Sequence, residues 1–357
     1  MSIERETPLV GLDHEELVVR KGRRTGVYTV VAVHSTVLGP SLGGCRLWRY
    51  ADPAAATRDA LRLSRAMTFK AAAAGLSLGG GKGVICAEPG DAPTGRRRRE
   101  LLLDFADTVN VLEGRYVTAE DVGTGSRDMS LIAKETRWVS GLSRRLGGSG
   151  DPSPFTALGV ECAIRACCQR RFGSRELDGR TVAVVGLGHV GSQLARRLTR
   201  AGAKVIAGDI NPDKRKLLNE LDGARWADPS TALLAEVDVL APCALGSAID
   251  EVTVRKVRCR IVCGAANNQL AHEGLADDLA ARGILFAPDY IANAGGLINI
   301  SIELEGYDPK VARQRVAGIE HTMGQILDEA EAAGISPLAA ADEHARRRLA
   351  AGSGSPR

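Results

Sequence analysis

No stretch of this chain approaches the roughly 18 consecutive apolar residues that a membrane span needs, so membrane insertion is not expected. The N-terminus, Met-Ser-Ile-Glu-Arg-Glu, is charged from its fourth residue and holds no apolar signal core, which points to a cytoplasmic protein. None of the 8 cysteines forms a Cys-x-x-Cys pair, and the 6 histidines lack ligand spacing, so neither a metal site nor a disulfide framework is expected. The cysteines, in contexts such as Ile261-Val262-Cys263-Gly264, read as reduced core residues. A net charge of +4 on 357 residues is too small to argue for a nucleic-acid partner. The one dense basic block, Arg96-Arg97-Arg98-Arg99, reads as the solvated first turn of a helix. No internal repeat is apparent. Lysine is scarce, at 9 of 47 basic residues.

Against that scarcity, two lysines stand in apolar, small-residue surroundings. Lys70 ends Ala66-Met67-Thr68-Phe69-Lys70, and Lys82 ends Leu78-Gly79-Gly80-Gly81-Lys82. Arginine cannot lose its proton near neutral pH, whereas a desolvated lysine can. At least one of the two is therefore a candidate for acid/base work; the bland alternative is a pair of surface lysines flanking a buried helix.

The length suits two domains, and 44% hydrophobic with 25% charged residues is an ordinary globular composition. Residues 1–146 mix strands and helices. Val27–Val33 reads as a strand, Ala54–Met67 as a helix, Gly83–Cys86 as a short buried strand after a glycine turn, and Arg98–Leu112 as a helix. The Gly/Ser/Pro-rich stretch Arg144–Pro154 reads as a linker. In residues 147–329 short strands alternate with helices: Thr181–Val185, Lys204–Gly208, Val237–Leu240, Ile261–Cys263 and Ile284–Phe286. That alternation predicts an α/β fold whose second domain is a doubly wound parallel sheet. The tail from Lys310 is helical, and the closing Gly-Ser-Gly-Ser-Pro-Arg is expected to be disordered.

The strand Thr181–Val185 runs directly into Gly186-Leu187-Gly188-His189-Val190-Gly191, and a helix follows. A lone G-x-G-x-x-G is a weak signal, but here it has its strand, its helix and an acidic residue, Asp209, closing the next strand. Gly186 permits the tight turn, Gly188 lets the backbone approach a pyrophosphate, and Gly191 lets helix and strand pack. Asp209 would accept hydrogen bonds from the adenosine ribose, which favours NAD over NADP. Lys214 and Arg215 nearby keep NADP in view.

Further segments add to the first domain. Tyr116-Val117-Thr118-Ala119-Glu120-Asp121-Val122-Gly123-Thr124 puts two acids where a strand meets a turn. Gly39-Pro40-Ser41-Leu42-Gly43-Gly44 reads as a turn whose glycines let backbone N–H groups approach a ligand. With the two lysine segments, the glycine motif, Gly264-Ala265-Ala266-Asn267-Asn268-Gln269-Leu270 and Ala287-Pro288-Asp289-Tyr290-Ile291-Ala292-Asn293-Ala294-Gly295-Gly296, the chain resembles the Glu/Leu/Phe/Val amino acid dehydrogenases, and most closely their leucine/valine branch.

The resemblance covers nearly the whole chain. It implies a substrate-binding and oligomerisation domain (1–146, to which the segment 330–357 returns) and a Rossmann NAD-binding domain (147–329) in a homo-oligomer. The implied reaction oxidises an amino acid's amine to an imine with NAD and hydrolyses the imine to a 2-oxo acid and ammonium, reversibly. Lys82 would be the catalytic lysine, Asp121 its acid/base partner, and Lys70 the cation for the substrate α-carboxylate. Gly43, Gly44 and Met67 would line the substrate site. Asn268 would touch substrate and nicotinamide, and Gly186, Gly188, His189, Val190, Gly191, Asp209 and Asn293 would hold NAD. Where glutamate-specific members carry a lysine for the γ-carboxylate, this chain has Leu42, which disfavours glutamate. Ala119, Leu297 and Ile300 match other side-chain-pocket positions and suit a branched aliphatic group: leucine, valine or isoleucine. Two rival readings stay open, an aromatic substrate and a non-catalytic nucleotide-binding protein.

Overall fold

A computed structural model describes residues 12–88, 90, 93–244 and 246–353. The N-terminal hexapeptide and the last four residues, on which two expectations above rest, lie outside them. The chain divides into two compact units: residues 12–69 with 77–140, and residues 70–76 with 141–353. The division falls between Ser140 and Gly141, where a boundary after 146 was expected.

The first unit is built on a five-stranded sheet of order β1-β2-β4-β3-β5. Its strands are β1 (Glu16–Lys21), β2 (Tyr28–Ser35), β3 (Ser41–Arg49), β4 (Gly79–Ala87) and β5 (Tyr116–Glu120). β2 runs antiparallel to β1 and β4, whereas β3 is parallel to both β4 and β5. Helix α1 (Pro53–Ala73) begins at Asp52-Pro53, where the Asp52 carboxylate accepts the N–H of Ala55 at 2.6 Å, a helix N-cap. Its small residues Ala56 and Ala60 bury against Val30, Ala32, Val84 and Cys86 of the sheet. Helix α2 (Gly95–Asn110) carries the basic block: Arg96 is exposed and pairs with Glu100, whereas Arg98 donates to Asp128 in α3 (Ser126–Ile132) and to the Gly123 carbonyl.

Two expected turns are strands. Gly79, Gly80 and Gly81 belong to β4, and Leu42, Gly43 and Gly44 to β3. The reason is close packing. A Cβ on Gly43 would lie 1.7 Å from the Gly81 carbonyl oxygen, and one on Gly80 would lie 2.1 Å from the backbone nitrogen of Thr68. These glycines admit neighbouring backbone rather than turn the chain.

The second unit contains a wholly parallel sheet of order β11-β10-β9-β6-β7-β8. In chain order its elements are α4 (Ser153–Phe172), β6 (Thr181–Val185), α5 (His189–Arg200), β7 (Lys204–Gly208), β8 (Ala224–Trp226), α6 (Pro229–Leu233), β9 (Glu236–Pro242), β10 (Arg258–Val262), α7 (Leu275–Ala281), β11 (Leu285–Phe286), α8 (Asp289–Ala292), α9 (Gly295–Ser301), α10 (Pro309–Ala317), α11 (Ile319–Ala333) and α12 (Pro337–Ser353). The order reverses direction at β6, the strand before the glycine motif, as in a doubly wound nucleotide-binding sheet. β1 and β8 were not anticipated; both are short or partly exposed and lack a strong apolar pattern. α4 is buried nearly all round, and Gly159 and Gly295 let it pack closely on α9. α12 packs on α11 and β11, and Arg348 donates to the Ala72 carbonyl at 2.5 Å, so the segment expected to return to the first domain is grouped with the second. Among the described residues no helix is long and apolar enough to cross a membrane.

Candidate active site

The strand register places Leu42, Gly44, Lys82, Ala119 and Asp121 on one face of the first unit's sheet, and Gly43 on the other. Residues opposite one another, and residues two apart along a strand, share a face. Leu42 opposes Gly80 on β4 and Val117 on β5, and Gly44 opposes Ala119. Leu42, Gly44 and Arg46 of β3, Gly80 and Lys82 of β4, and Ala119 with Asp121 just past β5 therefore line one surface. Of the two adjacent acids, Asp121 and not Glu120 falls on the Lys82 side.

On that face Lys82 Nζ lies 2.8 Å from Asp121 Oδ2, with the lysine side chain 5% and the carboxylate 22% exposed. Arg46 Nε donates to the same Oδ2 at 2.8 Å. Two devices hold the carboxylate in place. The backbone N–H of Asp121 donates to Thr124 Oγ1 at 3.0 Å, and that hydroxyl donates to the Cys45 carbonyl at 2.7 Å. Gly44 supplies the room, since a Cβ there would lie 2.6 Å from the Cβ of Asp121. Behind the sheet, the Tyr116 hydroxyl donates to the Gly43 carbonyl at 2.7 Å. Leu42 and Ala119 are buried beside this group and Met67 is half-buried.

The electrostatics follow from burial. Desolvation pushes the Lys82 ammonium below its ordinary pKa; Asp121 opposes that shift and Arg46 reinforces it. Burial alone would raise the Asp121 carboxyl, but Lys82 and Arg46 together hold it below the usual carboxylate range. The result is a carboxylate that stays ionised beside an amine that loses its proton more readily than a surface lysine does.

A second constellation lies in the second unit, with which Lys70 is grouped. Lys70 Nζ donates to Asn293 Oδ1 at 2.6 Å, and Asn293 Nδ2 donates to Asn267 Oδ1 at 2.7 Å. Asn293 is buried. Asn268, the expected contact residue, is exposed and adopts a left-handed φ of 52°. The side chain that accepts from Asn293 is that of its neighbour Asn267. The turn is anchored by Asp289, whose Oδ2 accepts the N–H of Gln269 at 3.1 Å and whose carboxyl is raised by burial. Leu297 and Ile300 are buried in α9.

The glycine motif fits a dinucleotide. Gly186 has φ 102°, and a Cβ on it would lie 2.6 Å from the Ala244 nitrogen. A Cβ on Gly191 would lie 1.9 Å from the Gly186 carbonyl oxygen, so strand-to-helix packing requires glycine there. At Gly188 a Cβ meets nothing within 4 Å, which leaves open space over the start of α5, where His189 and Val190 begin the helix. Asp209 Oδ2 accepts the Leu187 N–H at 2.6 Å and Oδ1 accepts the Asn211 N–H at 2.8 Å, so the acidic residue faces the glycine loop.

Two family models cover much of the chain: a Glu/Leu/Phe/Val dehydrogenase dimerisation domain over residues 14–138, and a glutamate/leucine/phenylalanine/valine dehydrogenase domain over residues 208–351. The chain is 42% identical to a leucine dehydrogenase of Bacillus subtilis, over 94% of this chain and 92% of that protein. It is 45% identical to a valine dehydrogenase of Streptomyces albus, again over 94% and 92%. The chain belongs to the Glu/Leu/Phe/Val dehydrogenase family. In three dimensions it is similar to the L-tryptophan dehydrogenase of Nostoc punctiforme, with a TM-score of 0.83 and 36% identity over 96% of this chain and 98% of that one.

As a member of this family the protein is an oxidoreductase. A third model, a 2-hydroxyacid dehydrogenase NAD-binding domain, matches residues 163–247, the part of the second unit that contains the glycine motif and Asp209, and NAD is its cofactor. The two-domain α/β architecture and the doubly wound sheet expected from the sequence are both present. Arg46 and Asp289 were not anticipated. Arg46 stands two residues beyond Gly44 in β3 and so shares its face, a relation that reading Gly39–Gly44 as a turn concealed.

Proposed function

We propose that this amino acid dehydrogenase catalyses the reversible, NAD-dependent oxidative deamination of leucine, valine and isoleucine to their 2-oxo acids and ammonium. The observation that carries the reading is the buried Lys82–Asp121 contact of 2.8 Å on the same sheet face as the apolar Leu42. The names of the two sequence relatives, leucine and valine dehydrogenase, support the choice of substrate.

Bound NAD supplies the acceptor that oxidises the amine-bearing carbon. Gly186, Gly188, Gly191 and the first residues of α5, His189 and Val190, would hold its pyrophosphate, and Asp209 its ribose. Lys70 would pair with the α-carboxylate and Asn293 would fix that lysine, with Asn267 and Asn268 beside it. Lys82, once neutral, accepts the proton of the water that adds to the imine carbon; when the C–N bond then breaks, the nitrogen leaves with a proton from Asp121 and the hydroxyl proton is lost to solvent. Asp121 exchanges protons with the substrate nitrogen and steadies the ammonium form of Lys82 between steps. Leu42, Gly44, Met67 and Ala119 of the first unit would stand around the substrate side chain. The protein would act in the cytoplasm as a homo-oligomer, a state supported by the dimerisation-domain match.

The test is a panel of L-amino acids with NAD, followed by NADH absorbance. Branched-chain substrates are expected to give the highest kcat/KM. A preference for phenylalanine or tryptophan would favour the second reading, which the similarity to the tryptophan enzyme keeps open. No NADH from any amino acid would overturn the enzymatic reading altogether.

A further inference from the structure

We propose that Arg46 is a positioning residue for the deamination chemistry: by sharing Asp121 Oδ2 with Lys82, it sets the pH range over which Lys82 works as a base. The inference rests on the acid/base reading of Lys82 and Asp121.

The geometry is specific. Arg46 Nε and Lys82 Nζ both lie 2.8 Å from Asp121 Oδ2, so one oxygen serves two cations. The guanidinium is held from its other side, where Nη1 donates to Asp59 Oδ2 at 2.9 Å. Asp59 is itself fixed on α1 by the Tyr50 hydroxyl at 2.6 Å and by Arg62 Nη2 at 2.8 Å. Arginine alone offers two donors in a rigid fork for two carboxylates, and it stays charged throughout the working pH range. Both printed partners of the Arg46 guanidinium are carboxylates, Asp121 and Asp59, so the role assigned to it is exerted through Asp121.

An Asp121 carboxylate bound only to Lys82 would stabilise the ammonium form and keep the lysine protonated. A second, permanent cation on the same oxygen weakens that hold and adds repulsion, and both effects favour the neutral amine. Asp59 moderates the effect by partly neutralising Arg46. The other charged or titratable groups around this pair are Cys45, Tyr116, Arg98 and Asp128. The Cys45 thiol on β3 and the Tyr116 phenol on β5 are both pushed well above their ordinary pKa by burial, and Arg98 and Asp128, beyond Cys45, form a mutual pair at 2.7 Å.

The experiment compares pH profiles of kcat/KM for oxidative deamination of leucine in wild type, Arg46→Met, Arg46→Lys and Asp59→Asn, each as the full-length enzyme with saturating NAD. Activity is expected to rise with pH along a limb set by Lys82. Arg46→Met should move that limb toward alkaline pH by about one unit, the lower end of the effect of a charge at this distance, which is about tenfold lower kcat/KM at the foot of the limb. Arg46→Lys, which keeps the charge but not the fork, should restore most of the wild-type position. Asp59→Asn should move the limb the other way, toward acid, because it leaves Arg46 less neutralised. Shifts of opposite sign are not what loosened packing produces.

A limb that stays in place in Arg46→Met overturns the proposal, as does one that Arg46→Lys fails to bring back. Should Arg46→Met not fold, Asp59→Asn decides: an acid shift supports the role and an unmoved limb overturns it. Lys82→Ala separates the two layers of the reading. If that variant turns over normally, the site assignment itself has failed; if it is inactive while the Arg46 limb is unmoved, only the role of Arg46 falls.

Discussion

Lys82 Nζ and Arg46 Nε meet at one atom, Oδ2 of Asp121, each at 2.8 Å. Arg46 comes from β3, Lys82 from β4 and Asp121 from just past β5, and the parallel pairing of β3 with both neighbours brings them to one face. The two cations hold that carboxylate below its usual range, and burial lowers the lysine beside it.

From this follows the pH dependence of the forward reaction. The Lys82 pKa lies below its ordinary 10.5, chiefly through burial. A base must be neutral to accept a proton, so oxidative deamination should fall as pH drops through that lowered pKa and level off above it. Lys82→Ala should remove the limb and lower kcat by several orders of magnitude, while NADH titration by fluorescence stays close to wild type. A variant that keeps near-normal turnover would remove Lys82 from the chemistry.

Gly44→Ala probes the positioning of Asp121 without touching any ionisable group. The added methyl would lie 2.6 Å from both the Asp121 Cβ and the Glu120 carbonyl oxygen, so one of them must move. A displacement of about 1 Å at a catalytic group can cost on the order of a hundredfold, and overpacking costs about 1–3 kcal/mol of stability. The expected outcome is a large loss in kcat with NADH affinity unchanged, together with a modest fall in Tm. An alanine enzyme with wild-type kcat would show that Asp121 has slack in its position.

Cofactor choice depends on Asp209. Its carboxylate faces the glycine loop and would stand against the 2′-phosphate of NADP. The wild type should prefer NAD. Asp209→Asn, which keeps an acceptor for the Leu187 N–H but removes the charge, should narrow the NAD:NADP ratio in kcat/KM by roughly tenfold or more, the worth of one charge pair at contact distance near a protein surface. Equal use of both cofactors by the wild type would overturn the ribose argument.

How far the sequence could be read depended on whether the deciding interactions are local. The strand Lys204–Gly208 appears as expected, residue for residue, because a buried parallel strand is a short apolar run with sharp ends. The glycine motif was legible for the same reason, since its strand, turn and helix are consecutive. The triple glycine before Lys82 was misread as a turn because its cause is non-local: Thr68 of α1 and Tyr116 of β5 crowd the positions where Cβ atoms would stand. Between Asn267 and Asn268 the decision is made by backbone conformation, as the left-handed φ of Asn268 turns the chain and leaves Asn267 to reach Asn293. Arg46 was missed because Gly39–Gly44 was read as a turn; once that segment is the strand β3, the period of two counted on from Gly44 reaches it.

On the proposed reading, substrate choice turns on Leu42. It is buried on β3, on the same sheet face as Lys82 and Ala119. Glutamate bound with its side chain there would bury a second carboxylate without a partner, at a penalty of several kcal/mol. At about 1.36 kcal/mol per factor of ten in rate, kcat/KM for leucine or valine should exceed that for glutamate by at least roughly a thousandfold. Leu42→Lys should lower activity on branched substrates, because it sets an ammonium in their apolar surroundings. Good glutamate activity need not appear, since Ala119 stays apolar. The check is a side-by-side kinetic comparison of leucine, valine, phenylalanine and glutamate on wild type and variant. A wild type that prefers glutamate would refute the role given to Leu42. One that prefers phenylalanine would leave that role standing and refute only the branched-chain choice.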